Sequence, residues 1–570
     1  MTLLPRIAFP LPNRRDLVAL PLVLALLFIL AHATRQMAVP FTLGEPLAIS
    51  TQPGQLPAYA LYTVLRMAAA LVLSFVFTLA YATLAAKNRY AEQILVPLLD
   101  ILQSVPILGY LSITVTGFLA LFPHSLVGLQ LAVIFAVFTS QVWNMTFALY
   151  QGLKTLPQEL SEAATLYRLS AWQRFWKLEL PFAMPGLLWN TMMSLSGGWF
   201  FVVAAEALTV HGQQVAVPGI GSYIALAIEN RDLSAIFWAI AVMLGVIFLY
   251  DWLIFRPFVA WADKFRMDDT GGDEAPQSWV RNFLQRTRLI RYLLKLPALL
   301  WELSIRFMPM APATRKPPHP VRQRWLDRMF ALLLALVALW ALQRLYTLVP
   351  REFGWGEVAH VFYLGLVTGF KVFVLVALSA LIWVPLGVLI GLHPAWARRV
   401  QPLAQFLAAF PANLLFPLVV VLIVRLHLNV DVWTSPLMIL GSQWYLLFSV
   451  IGGATALPND LREAARSLNL KGRLKWRRLY LPGVFPAFVT GAITASGGAW
   501  NASIVAEVVQ WGPYHLTATG LGAYISQATA AGNMHAVALG VGVMALYVTA
   551  VNRLFWRRLY ALAEDRIRLN

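Results

Sequence analysis

Long apolar segments recur along the whole chain, and each is close to the length of about 20 residues that a helix needs to cross a bilayer. Such segments are apolar on all sides, so each must lie in the hydrocarbon of a bilayer or pack against other apolar segments. They therefore constrain the fold more than any single motif does. Twelve spanning helices are predicted, at 17–36, 59–85, 104–122, 126–149, 183–209, 233–256, 327–348, 360–390, 403–425, 432–453, 484–509 and 534–556.

The composition agrees with a membrane environment. Of the 570 residues, 59% are hydrophobic and 12% are charged, whereas soluble domains contain roughly 25% charged residues. A soluble protein of this length could not cover so much apolar surface, so the fold class predicted is an all-α polytopic membrane protein. Cysteine is absent, and the nine histidines show no paired ligand spacing. Disulfides are therefore excluded, and no metal site is expected.

Basic residues are concentrated in alternate loops of this predicted topology. The positive-inside rule therefore places these loops and both termini in the cytoplasm of a multi-pass protein of the cell inner membrane. The net charge of +18 is explained by topology, and no nucleic-acid partner is expected. The basic loops contain Lys87, Arg89, Lys154, Arg168, Arg174, Lys177, Arg398, Arg399 and a cluster from Arg462 to Arg478, while 123–126 and 510–533 contain no lysine or arginine.

A polar stretch at 257–326 separates two apolar domains, 1–256 and 327–570, each with six predicted spans. Within this linker, Arg281, Arg288, Arg291 and Lys295 fall on one narrow helical face. The pattern predicts a basic amphipathic helix on the inner leaflet, and a solvated linker helix explains it equally well.

The two domains are copies of one another. Residue n resembles residue n+301 without a gap over more than a hundred residues, and the offset becomes 305 further upstream. Because each copy has an even number of spans, the two six-helix repeats are parallel and related by an axis along the membrane normal. The matching pairs include Trp143 and Trp444, Leu156-Pro157 and Leu457-Pro458, Pro185 and Pro486, Gly219 and Gly520, Gly221 and Gly522, and, at the larger offset, Pro97 and Pro402.

One repeated loop carries a recognisable pattern. It reads EAATLYRLSAWQRFWKLELP from Glu162 to Pro181 and EAARSLNLKGRLKWRRLYLP from Glu463 to Pro482. Both resemble the EAA loop of binding-protein-dependent ABC importer permeases, in which EAA is followed by three residues, Gly, nine residues, Ile, one residue and Leu-Pro. The resemblance covers 60–260 and 360–565. It implies the type I ABC importer permease fold, with two permease domains fused in tandem.

The two copies depart from the family pattern at the glycine, which is Arg168 in the first and Asn469 in the second. Leu178 and Leu479 stand in place of the isoleucine. Arginine adopts a left-handed turn less readily than asparagine does. The first loop is therefore expected to differ in shape from the second.

The resemblance also implies what the loops do, which is to dock on separate ATPase subunits, two copies per transporter. The chain contains no GxxxxGK[ST] segment, so ATP and Mg would be used by the partner and this chain would bind no cofactor. No catalytic residue is expected. The implied coupling residues are Glu162, Ala163, Ala164, Arg168, Leu180, Pro181, Glu463, Ala464, Ala465, Asn469, Leu481 and Pro482.

A second set of residues falls within the fifth and eleventh predicted spans. Spacing by seven places three residues of each copy on one helix face, beside small residues that permit close helix approach. Two interpretations stay open: this face lines the translocation pathway, or the residues are bundle packing and the glutamates cap a helix at the outer interface. The candidates are Met192, Ser196, Trp199, Glu206, Ile493, Trp500, Asn501 and Glu507.

The segment Ala-Ala-Glu or Val-Ala-Glu followed by Gly-x-Gly most resembles the nitrate, sulfonate, taurine and bicarbonate branch of these permeases. That resemblance implies a small oxyanion as substrate and a solute-binding protein as a partner beside the membrane lipids. The alternative is an ion-driven secondary transporter of the major facilitator type, which lacks the EAA segment. A membrane enzyme or assembly scaffold would need a convergent polar site, and the sequence shows none.

Topology supplies the first test. Reporter domains fused after Ser170 and after Lys471 should both lie in the cytoplasm, because both positions sit among basic residues in alternate loops. Activity of a periplasmic reporter at either position would overturn the topology.

Overall fold

The structure, a computed structural model, describes most of both halves. It covers residues 13, 16–36, 49–123, 125–210, 213–262, 279–288 and 353–567, together with 292, 302, 304 and, between 327 and 343, residues 327–333, 335–337, 339–340 and 343.

The first half consists of helices and one β-hairpin. The hairpin is formed by β1 (Ala207–Val210) and β2 (Gln213–Ala216), which pair antiparallel. The helices are α1 (Asp16–Gln36), α2 (Leu56–Lys87), α3 (Arg89–Ser104), α4 (Ile107–Leu121), α5 (Leu126–Lys154), α6 (Gln158–Leu166), α7 (Ala171–Arg174), α8 (Leu180–Ala205), α9 (Ile220–Glu229), α10 (Leu233–Tyr250), α11 (Arg256–Ala262) and α12 (Trp279–Arg286).

The second half follows a similar order, except that 430–455 is divided into three helices where the first half has the single helix α5. Its hairpin is formed by β3 (Val508–Trp511) and β4 (Tyr514–Thr517). The helices are α13 (Trp355–Gly391), α14 (Pro394–Ala409), α15 (Phe416–Arg425), α16 (Val430–Trp433), α17 (Ser435–Ile439), α18 (Gln443–Thr455), α19 (Asn459–Ser467), α20 (Gly472–Lys475), α21 (Leu481–Ala506), α22 (Leu521–Ala530), α23 (Met534–Val551) and α24 (Arg557–Ile567).

Ten of the twelve predicted spans correspond to long apolar helices among the described residues. Seven are continuous and three are bent pairs, so the described chain has seven to ten candidate spans. Of the remaining two, 17–36 coincides with α1, and the described residues of 327–348 are helical. The continuous spans are Pro53–Lys87, Leu126–Lys154, Ala171–Ala205, Leu233–Phe258, Trp355–Gly391, Gly472–Ala506 and Met534–Leu562.

The three bent spans lie at predicted positions 104–122, 403–425 and 432–453. The first bends by 96° between Gln103 and Ile107, and the second by 74° between Ala409 and Ala412. Each of these two breaks contains a proline, Pro106 or Pro411, whose preceding residue is extended. Proline lacks an N–H and disfavours helical backbone in the residue before it. Prolines at the break therefore account for both bends, and the third pair bends by only 43°.

The predicted spans 183–209 and 484–509 were too long at their ends. Helix α8 stops at Ala205 and α21 at Ala506, and in each half the chain turns directly into the hairpin. The backbone N–H of Val217 donates to the carbonyl of Glu206 (3.0 Å), and that of Ala518 to the carbonyl of Glu507 (2.8 Å). These bonds close the hairpins over the helix ends.

The duplication extends to irregular details. Short π-helical turns interrupt the helices at Phe175–Glu179 and Trp476–Tyr480, and again at Asp251–Phe255 and Asn552–Trp556. Both pairs are separated by the 301-residue offset of the repeat. The two copies therefore share one backbone plan.

The halves contact each other along several helices. Trp189 in α8 stacks on Phe448 in α18, with ring centroids 5.1 Å apart. The amide of Ile107, at the start of α4, donates to Asn501 Oδ1 in α21 (2.8 Å). At the hairpins, the amide of Gly512 donates to the carbonyl of Ile228 (3.1 Å). A single core of buried residues continues across this contact.

The linker predicted at 257–326 is described only in part. Helix α12 overlaps the start of the predicted amphipathic segment, and Trp279 contacts Trp252 with ring centroids 5.2 Å apart. Arg281 Nη1 donates to the carbonyl of Ala260 (2.5 Å). Arg291 and Lys295 lie outside the described residues, and the domain limits themselves remain a prediction.

Two adjacent glycines in α18 test the packing of the second half. A Cβ at Gly453 would overlap the Cβ of Ala487 in α21, whereas a Cβ at Gly452 would meet nothing. We expect Gly453→Ala to lower the free energy of unfolding by about 1–3 kcal/mol, the usual cost of overpacking. Gly452→Ala should be neutral or stabilise the helix by up to about 1 kcal/mol. Thermal unfolding of both variants in detergent is the measurement, and equal melting temperatures would contradict the packing described.

Candidate functional site

At the end of α8, the Glu206 carboxylate is held in a fully buried polar cluster. Arg66 Nη1 in α2 lies 2.6 Å from Glu206 Oε1, and neither side chain has any exposed surface. Thr63 Oγ1 donates to the same oxygen (2.7 Å), and the Gly221 amide donates to Oε2 (2.8 Å). The other guanidinium nitrogens of Arg66 donate to Gln130 Oε1 (2.6 Å) and to the carbonyl of Pro218 (2.8 Å). The cluster joins α2, α5, α8 and the start of α9.

The second half has a related but weaker cluster around Glu507. Thr368 Oγ1 donates to Glu507 Oε1 (3.0 Å), and the Ala523 amide donates to Oε2 (3.1 Å). The cation is Lys371, whose Nζ lies 3.5 Å from Glu507 Oε1 and donates to the carbonyl of Thr519 (2.7 Å). Asp431 lies 4.0 Å from the same nitrogen. The lysine side chain is 12% exposed, so this cluster is open to solvent on one side.

The Gly-x-Gly motif is explained by these carboxylates. A Cβ at Gly219 would overlap the Glu206 carboxyl group, and one at Gly221 would overlap the Val203 carbonyl. Gly520 and Gly522 are constrained in the same way by Glu507 and by the Ser503 carbonyl. The glycines allow the chain after each hairpin to pass directly over the carboxylate. The cluster thereby fixes the hairpin to the end of the helix.

A cavity of about 210 Å³ lies where the two halves meet. Its walls come from α3, α4, α5 and α8 of the first half, and from 408–412, 437–445 and α21 of the second. None of the described lining residues is charged. The polar and aromatic members are Gln103, Thr139, Ser140, Trp143, Asn144, Ser194, Ser196, Phe200, Phe201, Phe410, Ser442, Tyr445, Thr494 and Asn501.

The structure separates the pathway candidates into three groups. Ser196, Ile493 and Asn501 line the central cavity. Met192 lines a different, small apolar pocket with Leu71 and Phe258. The remaining four, Trp199, Glu206, Trp500 and Glu507, are at most 2% exposed.

The four buried candidates therefore pack inside their own halves. Trp199 contacts Tyr250 edge to face (5.4 Å), and Trp500 stacks on Tyr547 (6.3 Å). The sevenfold spacing thus does not give one continuous cavity-lining face: of the six residues that share it, the central cavity has only Ile493 among its described lining residues.

The predicted coupling segments form short exposed helices at the opposite end of α8 and α21 from the hairpins. Helices α8 and α21 have 26 residues each and are therefore about 39 Å long. Helix α6 begins after Pro157 and α19 after Pro458. Glu162 and Glu463 are exposed, whereas Ala164 and Ala465 are buried against the bundle. Leu180-Pro181 and Leu481-Pro482 begin α8 and α21.

The expected difference between the two loop turns is not found. Arg168 and Asn469 both have φ of 50°, and both turns have the same backbone hydrogen bonds. In the first, Leu169 N donates to the Ala164 carbonyl; in the second, Leu470 N donates to the Ala465 carbonyl. These bonds satisfy the last carbonyls of each helix, and the arginine accepts the left-handed conformation to make them. The prediction that the turns differ in shape was wrong.

The two loops differ instead in how they are tied to the bundle. In the first, Arg174 donates to Ser161 Oγ (3.0 Å) and pairs with Glu179 (2.8 Å). Glu179 also pairs with Lys87 at the end of α2 (2.8 Å). At the position equivalent to Glu179, the second half has Tyr480, over which Lys475 lies at 5.2 Å. Ion pairs through Glu179 thus connect the loop to α2 in the first half.

A family model now accounts for both halves. The family described as binding-protein-dependent transport system inner membrane component matches residues 79–256 and 383–569, more than half of the chain. The chain belongs to this family. It is an ABC transporter permease of the inner membrane with two permease domains in one polypeptide, and this membership decides against the major facilitator alternative.

The permease is similar to several curated relatives at low identity. It is 24% identical over 200 residues to the bicarbonate transport system permease protein CmpB of Synechococcus elongatus, covering 35% of this chain and 66% of the relative. It is 28% identical over 144 residues to the nitrate import permease protein NrtB of Leptolyngbya laminosa, covering 25% and 49%. The glycine betaine/carnitine transport permease protein GbuB of Listeria monocytogenes is 30% identical over 167 residues, covering 29% and 53%. The matches thus span less than two thirds of each relative.

Several residues of the carboxylate clusters were missed from the sequence. Thr63 and Arg66 in α2 correspond to Thr368 and Lys371 in α13 at the 305-residue offset. This repeated threonine and cation, three residues apart inside an apolar span, was a usable signal. A cation inside a span is costly and usually finds a buried partner, and Glu206 and Glu507 were the available acidic residues.

The buried ion pair generates a stability prediction. Arg66→Met leaves Glu206 charged and unpaired, so we expect a loss of about 3–5 kcal/mol in unfolding free energy. The double variant Arg66→Met/Glu206→Gln should recover part of that loss, because no buried charge remains. Lys371→Met is the matched control and should cost less, since Lys371 is partly exposed and lies farther from its carboxylate. Thermal unfolding of the wild type, these three variants and Glu206→Gln alone checks this, and additive effects of the Arg66 and Glu206 changes would argue against a coupled pair.

Proposed function

We propose that this permease forms the translocation pathway of an ATP-driven importer between its two internal repeats. The central cavity carries this proposal, because both halves contribute to its walls, with residues 193–201 of α8 and 493–502 of α21 among them. Many transporters place their substrate site between two such repeats. The role belongs to a transport subunit, and ATP hydrolysis is assigned to a separate partner.

Coupling to that partner is assigned to the two exposed loops. Helices α6 and α19 present Glu162 and Glu463 at the surface, and next to them the apolar side chains of Leu166 (81% exposed) and Leu468 (72% exposed). Exposed leucines at the tip of a short helix favour burial against another protein. Two loops of the same backbone shape suit two copies of an ATPase subunit. With the loops and both termini in the cytoplasm, the hairpins would face the opposite side and a solute-binding protein.

The substrate proposed is a small oxyanion such as nitrate, a sulfonate or bicarbonate. The names of CmpB and NrtB refer to bicarbonate and nitrate. GbuB is named for glycine betaine and carnitine, so a quaternary ammonium compound is the competing substrate class. Among the described residues, the cavity wall contains hydroxyl, amide and indole groups and no charged side chain. Neutral donors can hold an oxyanion without trapping it, as a transport pathway requires.

The coupling role predicts the effect of removing both surface glutamates. Each Glu→Ala variant loses a charged group whose hydrogen bonds at an interface are worth about 1.5–3 kcal/mol. We therefore expect Glu162→Ala and Glu463→Ala to weaken binding of the cognate ATPase by about tenfold or more each. Since the two turns have the same shape, similar single effects are expected, and the double variant should lose ATP-dependent uptake.

The control is Glu229→Ala, at an exposed position near the hairpins. It should leave ATPase binding unchanged, and all variants should insert in the membrane normally. Co-purification with the ATPase and uptake into proteoliposomes are the measurements. Full ATPase assembly and uptake in the double variant would show that the loops are not the coupling elements.

A further inference from the structure

Two ion pairs join the end of the first EAA loop to α2 through one carboxylate. Glu179 lies in the π-helical turn before α8, and its side chain is only 9% exposed. One of its oxygens pairs with Arg174 Nε and the other with Nζ of Lys87, the last residue of α2, both at 2.8 Å. Lys87 also lies over the ring of Phe175, 5.1 Å from its centroid. Because Arg174 donates to Ser161 Oγ in α6 (3.0 Å), the carboxylate connects the loop helix to α2.

A further ion pair lies at the beginning of the same loop and reaches α3. Lys154, the last residue of α5, precedes the turn into α6, and its Nζ donates to Glu92 Oε2 in α3 (2.8 Å). Tyr150 donates to the other oxygen of Glu92 (2.6 Å). Helix α3 continues from this pair to Gln103, which lines the central cavity. Charged groups thus attach the first loop at both of its ends, to α2 and to α3.

The second half has neutral residues at all the positions that would be needed for these pairs. Apolar side chains around Val450 pack the second loop against α13 instead. Apolar contacts have no preferred direction, so packed helices can slide past each other by small amounts. The residues equivalent to Lys87, Glu92, Lys154 and Glu179 are Leu392, Ala397, Thr455 and Tyr480.

The ion pairs of the first loop fix its position more than they stabilise the whole protein. Isolated pairs at a surface contribute little to stability, whereas a network of charges contributes more. Glu179 forms such a network, because its nearly buried carboxylate pairs with two cations. A displacement of the loop can pass to the helices through a contiguous set of bonded groups of this kind.

We propose that Glu92 and Glu179 are positioning residues that make the first EAA loop move as one body with α2 and α3. The second loop shifts relative to α13 and α14. This inference rests on the proposed coupling of both loops to ATPase subunits, and it adds that two similar docking events act unequally on the permease. Movement of the first loop reaches the wall of the central cavity through α3, whereas sliding absorbs part of the movement of the second.

The absence of native cysteine allows a matched spin-label test. Glu159→Cys in α6 and Asp460→Cys in α19 place a first and a second nitroxide label at equivalent, exposed positions of the two loops. In the full-length permease in nanodiscs, the first label should be the less mobile. Salt at about 1 M, where the screening length is about 3 Å, should mobilise the first label and leave the second unchanged. The reason is that partly exposed ion pairs hold only the first loop.

Charge variants connect this difference to the two glutamates. Glu92→Gln/Glu179→Gln keeps the size of both side chains and removes their charge. It should lower the ratio of immobile to mobile first label by about two- to fivefold, the effect of losing a partly exposed ion pair, and abolish its salt dependence. Tyr480→Phe, at the position equivalent to Glu179, is the control and should change neither label. Glu92→Lys should mobilise the first label, and the charge exchange Glu92→Lys/Lys154→Glu should restore its order.

Distances between pairs of labels test the transmission itself. Glu159→Cys with Leu98→Cys measures the first loop against α3, and Asp460→Cys with Leu403→Cys measures the second loop against α14. Leu98 and Leu403 are equivalent and exposed. Double electron–electron resonance is recorded on the complex with the cognate ATPase, before and after trapping with ATP and vanadate. The first distance should stay constant and the second should change. With both glutamates replaced by glutamine, the first distance should change as well.

Equal mobility of the two labels in the permease alone would overturn the proposal, as would a first label that responds neither to salt nor to the charge variants. Equal changes of the two distances on trapping would also overturn it. If ATPase binding and ATP-driven uptake of nitrate or bicarbonate persist in these cases, the proposed function stands and the unequal loops fail. An ATPase that binds neither loop would overturn the coupling function and the transmission with it, while a salt-sensitive first label would still support the ion-pair attachment.

Discussion

The lack of water in the hydrocarbon core is the constraint on which the whole structure depends. Backbone groups there must pair within the chain, and an unpaired one costs several kcal/mol. Long helices meet this demand, and the proline-containing bends occur where neighbouring helices surround the break. Charged side chains obey the same constraint: Arg66 and Glu206 are buried as an ion pair, and four neighbouring residues form further hydrogen bonds with them. The result is a fully buried polar cluster at one end of the bundle.

The duplicated backbone has been kept while its chemistry has diverged. The cation of the carboxylate cluster is Arg66 in the first half and the partly exposed Lys371 in the second. The two EAA loops share a left-handed turn, yet the first is tied to the bundle through Glu179 and the second has Tyr480 at the equivalent position. Differences therefore accumulate in side chains around elements whose geometry is fixed by packing.

Hydropathy and the internal repeat predicted most of the helices and the correspondence between the two halves. They could not predict the direction of each helix axis. Mean hydropathy measures how apolar a segment is, and a bend at Pro106 leaves that value unchanged. The partners of buried charges were missed for a related reason. Arg66 and Glu206 are 140 residues apart, and only the folded arrangement of α2 and α8 brings them together. Periodicity likewise placed Trp199 on a candidate pathway face without showing which part of α8 meets the other half.

The hydrogen bond between the Ile107 amide and Asn501 joins two halves that are not related by exact symmetry. Two separate identical permease subunits would meet across a twofold axis, and every contact would have to occur twice in self-complementary form. Here the position equivalent to Asn501 is Phe200, and the one equivalent to Ile107 is Ala412. Joining the copies in one polypeptide fixes their stoichiometry and gives each surface a single permanent neighbour. A contact that would be forbidden by symmetry in a homodimer can then be selected on one side alone, so fusion opens the central cavity to asymmetric specialisation.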